Sequence, residues 1–311
     1  MVKKLVLFVM IMLLVVQVTG CSNGAKISEK MELGNKYLLE QNYEQAIIAF
    51  NEAIEIDPKA YEAYQGLYQV YIAQGLPADA EKILLTGIDA VTDKDAIRVI
   101  LGDFYYYQNE YEKAVAVYDQ ITDGYSISKE SISYIIMTYR TANMPEKAIR
   151  YAEQILGIAE TKKEKFLALY DLGNIYGDVG MNVYFADGNT IDESEETKAE
   201  AKTNFEKAKG YFDSALQNAE SNVEKYMAFD RLAWVNGQLE NTGEEITNAQ
   251  NALELAATNE EKYQQYSYIA NGYDNQGDSA KAIEYYKLAL NYSATASEND
   301  KQWIIERISR E

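Results

Sequence analysis

Apolar residues recur along the chain at helical spacing. Tyr64, Leu67, Tyr68 and Tyr71 fall at i, i+3, i+4 and i+7 and so share one face of a helix. The pattern returns at a fixed interval: Tyr37, Tyr71, Tyr105 and Tyr139 lie 34 residues apart, and so do Ala46, Ala80, Ala114 and Ala148. A period of this length predicts stacked pairs of helices, because one pair cannot bury its apolar face alone. Small residues such as Gly34, Ala46 and Ala53 let two helices approach within ~8–10 Å. Pro77 and Pro145 stand at the same place in their periods. That place reads as the start of the second helix, where the missing N–H costs nothing. Gly75 and Gly277 mark the turn before it. At the end, residues 299–310 put Trp303, Ile304 and Ile308 on one face, with charges opposite, and predict a polar-backed closing helix.

The N-terminal segment has a different character. Lys3 and Lys4 precede Leu5–Val16, an apolar run of twelve residues that is short for a membrane span but suits a secretory signal. It leads into Val18-Thr19-Gly20-Cys21. This ending resembles the lipobox of bacterial lipoproteins, and Cys21 is the only cysteine of the chain. The resemblance implies that residues 1–20 are a signal peptide and that Cys21 carries a diacylglyceryl group. Residues 21–27 would then be a short tether. It further implies an extracytoplasmic protein held to the bacterial cell membrane, or to an outer membrane where one exists.

The periodic region resembles the tetratricopeptide repeat. The first unit has Leu33-Gly34, Tyr37, Ala46, Phe50, Ala53 and Pro58 in the family's positions, and only Lys30 departs. Further units follow through Tyr64, Tyr71, Ala80 and Leu84, through Leu101, Gly102, Tyr105, Ala114 and Tyr118, and through Ile135, Tyr139, Ala148 and Ala152. A fifth opens at Leu172-Gly173 and Tyr176 and resumes at Ala208, Phe212 and Ala215. A sixth has Phe229, Leu232, Ala233 and Ala252, but Asn236 and Glu245 replace the expected Tyr and Ala. The seventh has Tyr266, Ala270, Tyr273, Ala282, Tyr286 and Ala289. The resemblance implies an all-α fold: a right-handed superhelical solenoid of about seven helical hairpins over residues 28–311, with a capping helix and one inserted loop or hairpin.

The insertion, residues 178–200, falls within the fifth unit. There the helical period lapses, Asp187-Gly188 beside Val183-Tyr184-Phe185 gives a hairpin signal, and Asp192, Glu193, Glu195 and Glu196 follow. The expectation is a projecting segment, either a solvated acidic loop or a flap that touches a partner. A calcium loop fails on its spacing, since Ile191 would stand at the third ligand position.

Charge narrows the chemistry. The chain has 29 Lys and Arg against 49 Asp and Glu, a net charge of −20, which disfavours nucleic acid because such binding rests on clustered cations. It has no histidine, so imidazole-based triads and the commonest metal ligand are excluded. One cysteine allows no disulfide, thiolate zinc site or iron–sulfur cluster. These counts predict no enzyme activity, no cofactor and no metal. Of 27 tyrosines, many fall in the core positions of the repeat, and the rest are free to be half-buried or to form a binding surface.

In the family that the repeats resemble, certain positions of each first helix face a concave groove. Carried onto this chain, they are Asn35, Gln69, Asp103, Tyr106, Met137, Arg140, Tyr170, Asn174, Trp234 and Asn271. Amides can both donate to and accept from an extended peptide, and aromatic or thioether side chains offer apolar pockets between them. The family's basic clamp for acidic tails is absent, with Met31, Asn35, Ala96 and Ile100 in its places. The resulting expectation is a membrane-anchored scaffold that binds a basic or extended segment of a protein partner. The alternative is a receptor for a small extracellular ligand, a glycan or peptide fragment, with Tyr170 and Trp234 as stacking platforms.

Overall fold

The computed structural model describes residues 23–185 and 194–309. The chain divides after Ala142 into two compact units. The first holds α1 (23–39), α2 (Tyr43–Ile56), α3 (Tyr61–Ala73), α4 (Pro77–Ala90), α5 (Lys94–Tyr107), α6 (Tyr111–Tyr118) and α7 (Lys129–Thr141). The second holds α8 (Pro145–Gly157), α9 (Lys162–Asn182), α10 (Glu195–Asn218), α11 (Asn222–Gln238), α12 (Thr242–Leu255), α13 (Asn259–Asn275), α14 (Ser279–Leu290) and α15 (Glu298–Ser309). Two short 3-10 turns, Val183–Phe185 and Ser293–Thr295, complete it. Among the described residues there is no strand. The architecture is an all-α array of helical hairpins, as the period predicts.

One backbone device makes the hairpins. A residue with left-handed φ recurs at Gln41 (57°), Gly75 (72°), Asn109 (59°), Asn143 (53°), Glu240 (59°) and Gly277 (78°). The first four are 34 residues apart, so the turn repeats with the sequence. In five hairpins the following N–H reaches back to the carbonyl five residues before it: Asn42 to Tyr37, Leu76 to Tyr71, Glu110 to Tyr105, Asn241 to Asn236 and Asp278 to Tyr273, all at 2.8–2.9 Å. This is the Schellman closure of a helix C-terminus. Pro77 and Pro145 occupy the first positions of α4 and α8, as their spacing predicts.

Packing explains the small residues. Phe50 of α2 is fully buried between Gly34 of α1 and Gly66 of α3. A Cβ at either glycine would stand 2.5 Å from its ring. Tyr118 presses likewise on Gly102, and Phe212 on Gly173. In the second unit, α9, α11 and α13 each begin with a reciprocal capping box: Thr161 with Glu164, Ser221 with Glu224, and Thr258 with Glu261. The closing helix α15 buries Ile304 against the cluster around Tyr286, while Trp303 rests edge-on against Tyr286 with its outer face exposed.

The fifth hairpin has longer helices than its neighbours, and its insertion lies between them. Of the inserted residues, 178–182 extend α9 and 195–200 open α10. Gly180, at the place where the other hairpins turn, stays helical and packs on Phe205, whose ring lies 2.6 Å from the Cβ position. Val183-Tyr184-Phe185 is a 3-10 turn and not a strand. Glu195 and Glu196 stand in the first turn of α10, behind Ser194 as N-cap, where carboxylates favour the helix dipole. Residues 186–193, including Asp187-Gly188 and Ile191, lie outside the described residues.

Candidate functional site

The ten groove candidates separate according to what their own hairpin does to them. Asp103 is already engaged. Its Oδ1 accepts from Tyr118 Oη at 2.7 Å and its Oδ2 from Ser131 Oγ at 2.7 Å. Burial pushes its carboxyl above the usual range, and the two donors oppose that shift. Asn271 is engaged in the same way, its Oδ1 accepting from Tyr286 Oη at 2.7 Å. Both donors sit 15 residues further on, at the place held by Phe50 in the first hairpin and Phe212 in the fifth. A phenylalanine has no hydroxyl, so it makes no such claim on Asn35 or on the half-buried Asn174.

Asn35 and Gln69 are exposed, and the structure brings them together. With Ile27, Met31, Glu62 and Gln65 they line a groove of about 520 Å³ along α1 and α3. Met31 also packs on the core beside Phe50, so the groove floor is apolar and its walls carry amides and a carboxylate. Further along the first unit, Tyr106 stacks on Tyr134 at 5.1 Å and meets Tyr107 and Tyr111 edge-on. Tyr107 donates to Tyr134, whose hydroxyl donates to Glu130 Oε1 at 2.6 Å. Arg140 Nη1 lies 3.7 Å from the sulfur of the exposed Met137.

Tyr170 and Trp234 differ from each other. Tyr170 stacks on Phe166 and leans on Phe212, both fully buried, so its ring is largely committed to the core. Trp234 packs edge-on to Phe205 and also lines a cavity of about 250 Å³ in the second unit. Asn271 lines the same cavity, together with Glu245, Tyr268, Asp274, Trp303 and Arg307. Of these, the groove positions found only Trp234 and Asn271. Glu245 was visible as a departure from the repeat, and Trp303 as part of the closing helix. Cys21 lies outside the described residues. Among the described residues no helix is long and apolar enough to cross a membrane.

Comparison with known proteins agrees with this geometry. Tetratricopeptide-repeat models match residues 37–97 and 269–295. Those two segments carry tetratricopeptide repeats. Among solved structures, it is similar to the C-terminal part of a TPR repeat-containing protein from Cytophaga hutchinsonii. That match has 18% identity and a TM-score of 0.59, and covers 90% of this chain and 99% of the other. A tetratricopeptide repeat protein from Parabacteroides merdae matches at 13% identity and a TM-score of 0.46, over 91% of this chain and 98% of the other. A thermophilic TPR protein of Thermus thermophilus matches at 15% and 0.45, over 69% and 98%. At 18% identity, the Cytophaga match speaks to fold alone. Comparison with curated proteins gives no match.

Proposed function

We propose that the protein is a lipid-anchored, extracytoplasmic scaffold that holds an extended, basic segment of a partner protein along its repeats. The repeat fold supports a protein–protein interaction scaffold. One observation carries the reading furthest: Asn35 and Gln69, from the first helices of consecutive hairpins, stand exposed in one groove and are spared the internal hydrogen bond that occupies Asp103 and Asn271. Amides spaced along such a groove suit the alternating N–H and C=O groups of an extended chain. The net charge of −20 and Glu62 in the groove favour a basic segment. The anchor and the location rest on Val18-Thr19-Gly20-Cys21.

A second reading, a receptor for a small extracellular ligand, has its own support in the aromatic cavity beside Trp234. The experiment for the first reading is fractionation and capture in a bacterial host. Native protein should pellet with membranes and carry a diacylglyceryl mass on Cys21, whereas Cys21→Ala should be released. Crosslinking should capture a partner segment that yields to added salt. A native protein without lipid on Cys21, or with no crosslinked partner at low salt, contradicts the proposal.

A further inference from the structure

The sixth hairpin breaks the repeat where the cavity opens. Glu245 of α12 stands where Ala46, Ala80, Ala114, Ala148 and Ala282 stand in other hairpins, all of them buried. Glu245 is buried too, only 3% exposed, and among the described residues no donor reaches its Oε2. Room for the larger side chain comes from Gly237 of α11, where a Cβ would lie 2.9 Å from Glu245 Oε1. A buried carboxylate without a partner is costly, and packing alone does not require one where the six other hairpins, Ala208 of the fifth included, manage with alanine.

The surroundings say what such a carboxylate could receive. The cation of the lining, Arg307, is already engaged. Its Nη2 lies 2.7 Å from Asp274 Oδ2, and its guanidinium covers the Trp303 ring at 5.4 Å. That pair is neutral together, so Glu245 is the acidic group left without a counter-ion, and a bound cation would hold it ionised. Trp234 and Trp303 are the two tryptophans of the chain, and both border this cavity. A carboxylate and two indole rings in one lining attract a cation by Coulomb and cation–π forces.

We propose that this cavity is a binding site for an alkylammonium group, with Glu245 as its counter-ion and Trp234 and Trp303 as its walls. The scaffold reading bears only on the source of the group: a lysine side chain of a bound segment carries it, and so does a free amine.

Because the tryptophans are confined to this cavity, intrinsic fluorescence of the full chain reports on it directly. Titration with n-butylamine should give a saturable change, and titration with butyrate should not. Glu245→Gln should weaken the amine response about tenfold or more. Glu245→Ala, which restores the residue of the other hairpins, should stay folded and lose the response as well. A lysine-containing peptide that binds more tightly than butylamine, and loses that advantage on lysine acetylation, would identify a peptide source. Equal binding of free amine and peptide would identify a small-molecule source. The inference is overturned if butyrate binds and butylamine does not, if Glu245→Gln binds butylamine as the native chain does, or if neither probe changes the emission. Partner capture with Glu245→Gln separates the two proposals: capture kept while the native chain ignores amines sinks this inference alone, and amine binding in a native chain that captures no partner sinks the scaffold alone.

Discussion

The first and sixth hairpins follow one template and use it in opposite ways. In the first, Ala46 and Phe50 close an apolar interior, and the Asn35 amide stays exposed on the groove side. In the sixth, polarity is carried inward: Glu245 replaces the alanine, Asn236 replaces the tyrosine, and both are buried. Asn236 finds partners, its Nδ2 donating to Leu232 O at 2.8 Å and its Oδ1 accepting from Asn241. Glu245 does not. The contrast separates two kinds of residue in a repeat protein: those that agree with the template hold the hairpins together, and those that depart from it at a structural cost mark where to look for binding.

Breaking the template in the first hairpin should have the largest effect. Phe50→Ala removes a ring held between two glycines and should cost about 3–5 kcal/mol, read as a lower midpoint in urea. If the loss is under about 1 kcal/mol, the glycines and the ring are not a matched set.

The sixth hairpin should show its cost through pH. Burial pushes the Glu245 carboxyl up to about 7 from an ordinary value of 4.5. The folded chain therefore keeps a proton that the unfolded chain releases, and this contribution to stability is lost as pH rises from about 4.5 to 7. Between pH 5 and 8 the native chain should lose about 2–3 kcal/mol from this group, and Glu245→Gln should remove that part of the slope. Identical slopes in the two proteins would show that Glu245 is not held neutral.

Smaller changes sharpen the comparison. Tyr118→Phe should cost about 1–2 kcal/mol, because it takes one of two hydroxyl donors from the half-buried Asp103 and leaves Ser131. It should also make the third hairpin resemble the first, whose Phe50 makes no claim on Asn35. Glu240→Gly, at a turn with φ of 59°, should add up to about 1 kcal/mol, since glycine adopts that conformation without strain. Thermal melts of the two variants beside the native chain would check both signs.

Much of the fold is legible in the residues themselves. The 34-residue spacing gives the hairpins, Pro77 and Pro145 give helix starts, and Gly34 and Gly102 sit where a ring from the next helix must fit. The helical ends of the insertion were harder to read, because acidic residues such as Glu195 and Glu196 suggest a solvated segment. Yet Thr197, Ala201, Asn204, Phe205 and Ala208 are all buried on one face of α10, at helical spacing. Small and polar members of that stripe hide it from a hydrophobicity pattern. The groove was only half legible. Position along the first helix places Asn35, Asp103 and Asn271 alike, but whether each is free depends on a phenylalanine or tyrosine 15 residues later. The cavity needed the fold, because Glu245, Trp234 and Trp303 come from three helices that only packing brings together.

The most direct test of the scaffold account is the double variant Asn35→Ala/Gln69→Ala, measured for both thermal midpoint and partner capture. Exposed groove amides should contribute within about 0.5 kcal/mol to stability, so the midpoint should stay near that of the native chain. Capture should fall about tenfold or more, the effect of losing two polar contacts of about 1 kcal/mol each. A native midpoint with undiminished capture would contradict the account, because the residues that it places at the partner would then be touching nothing.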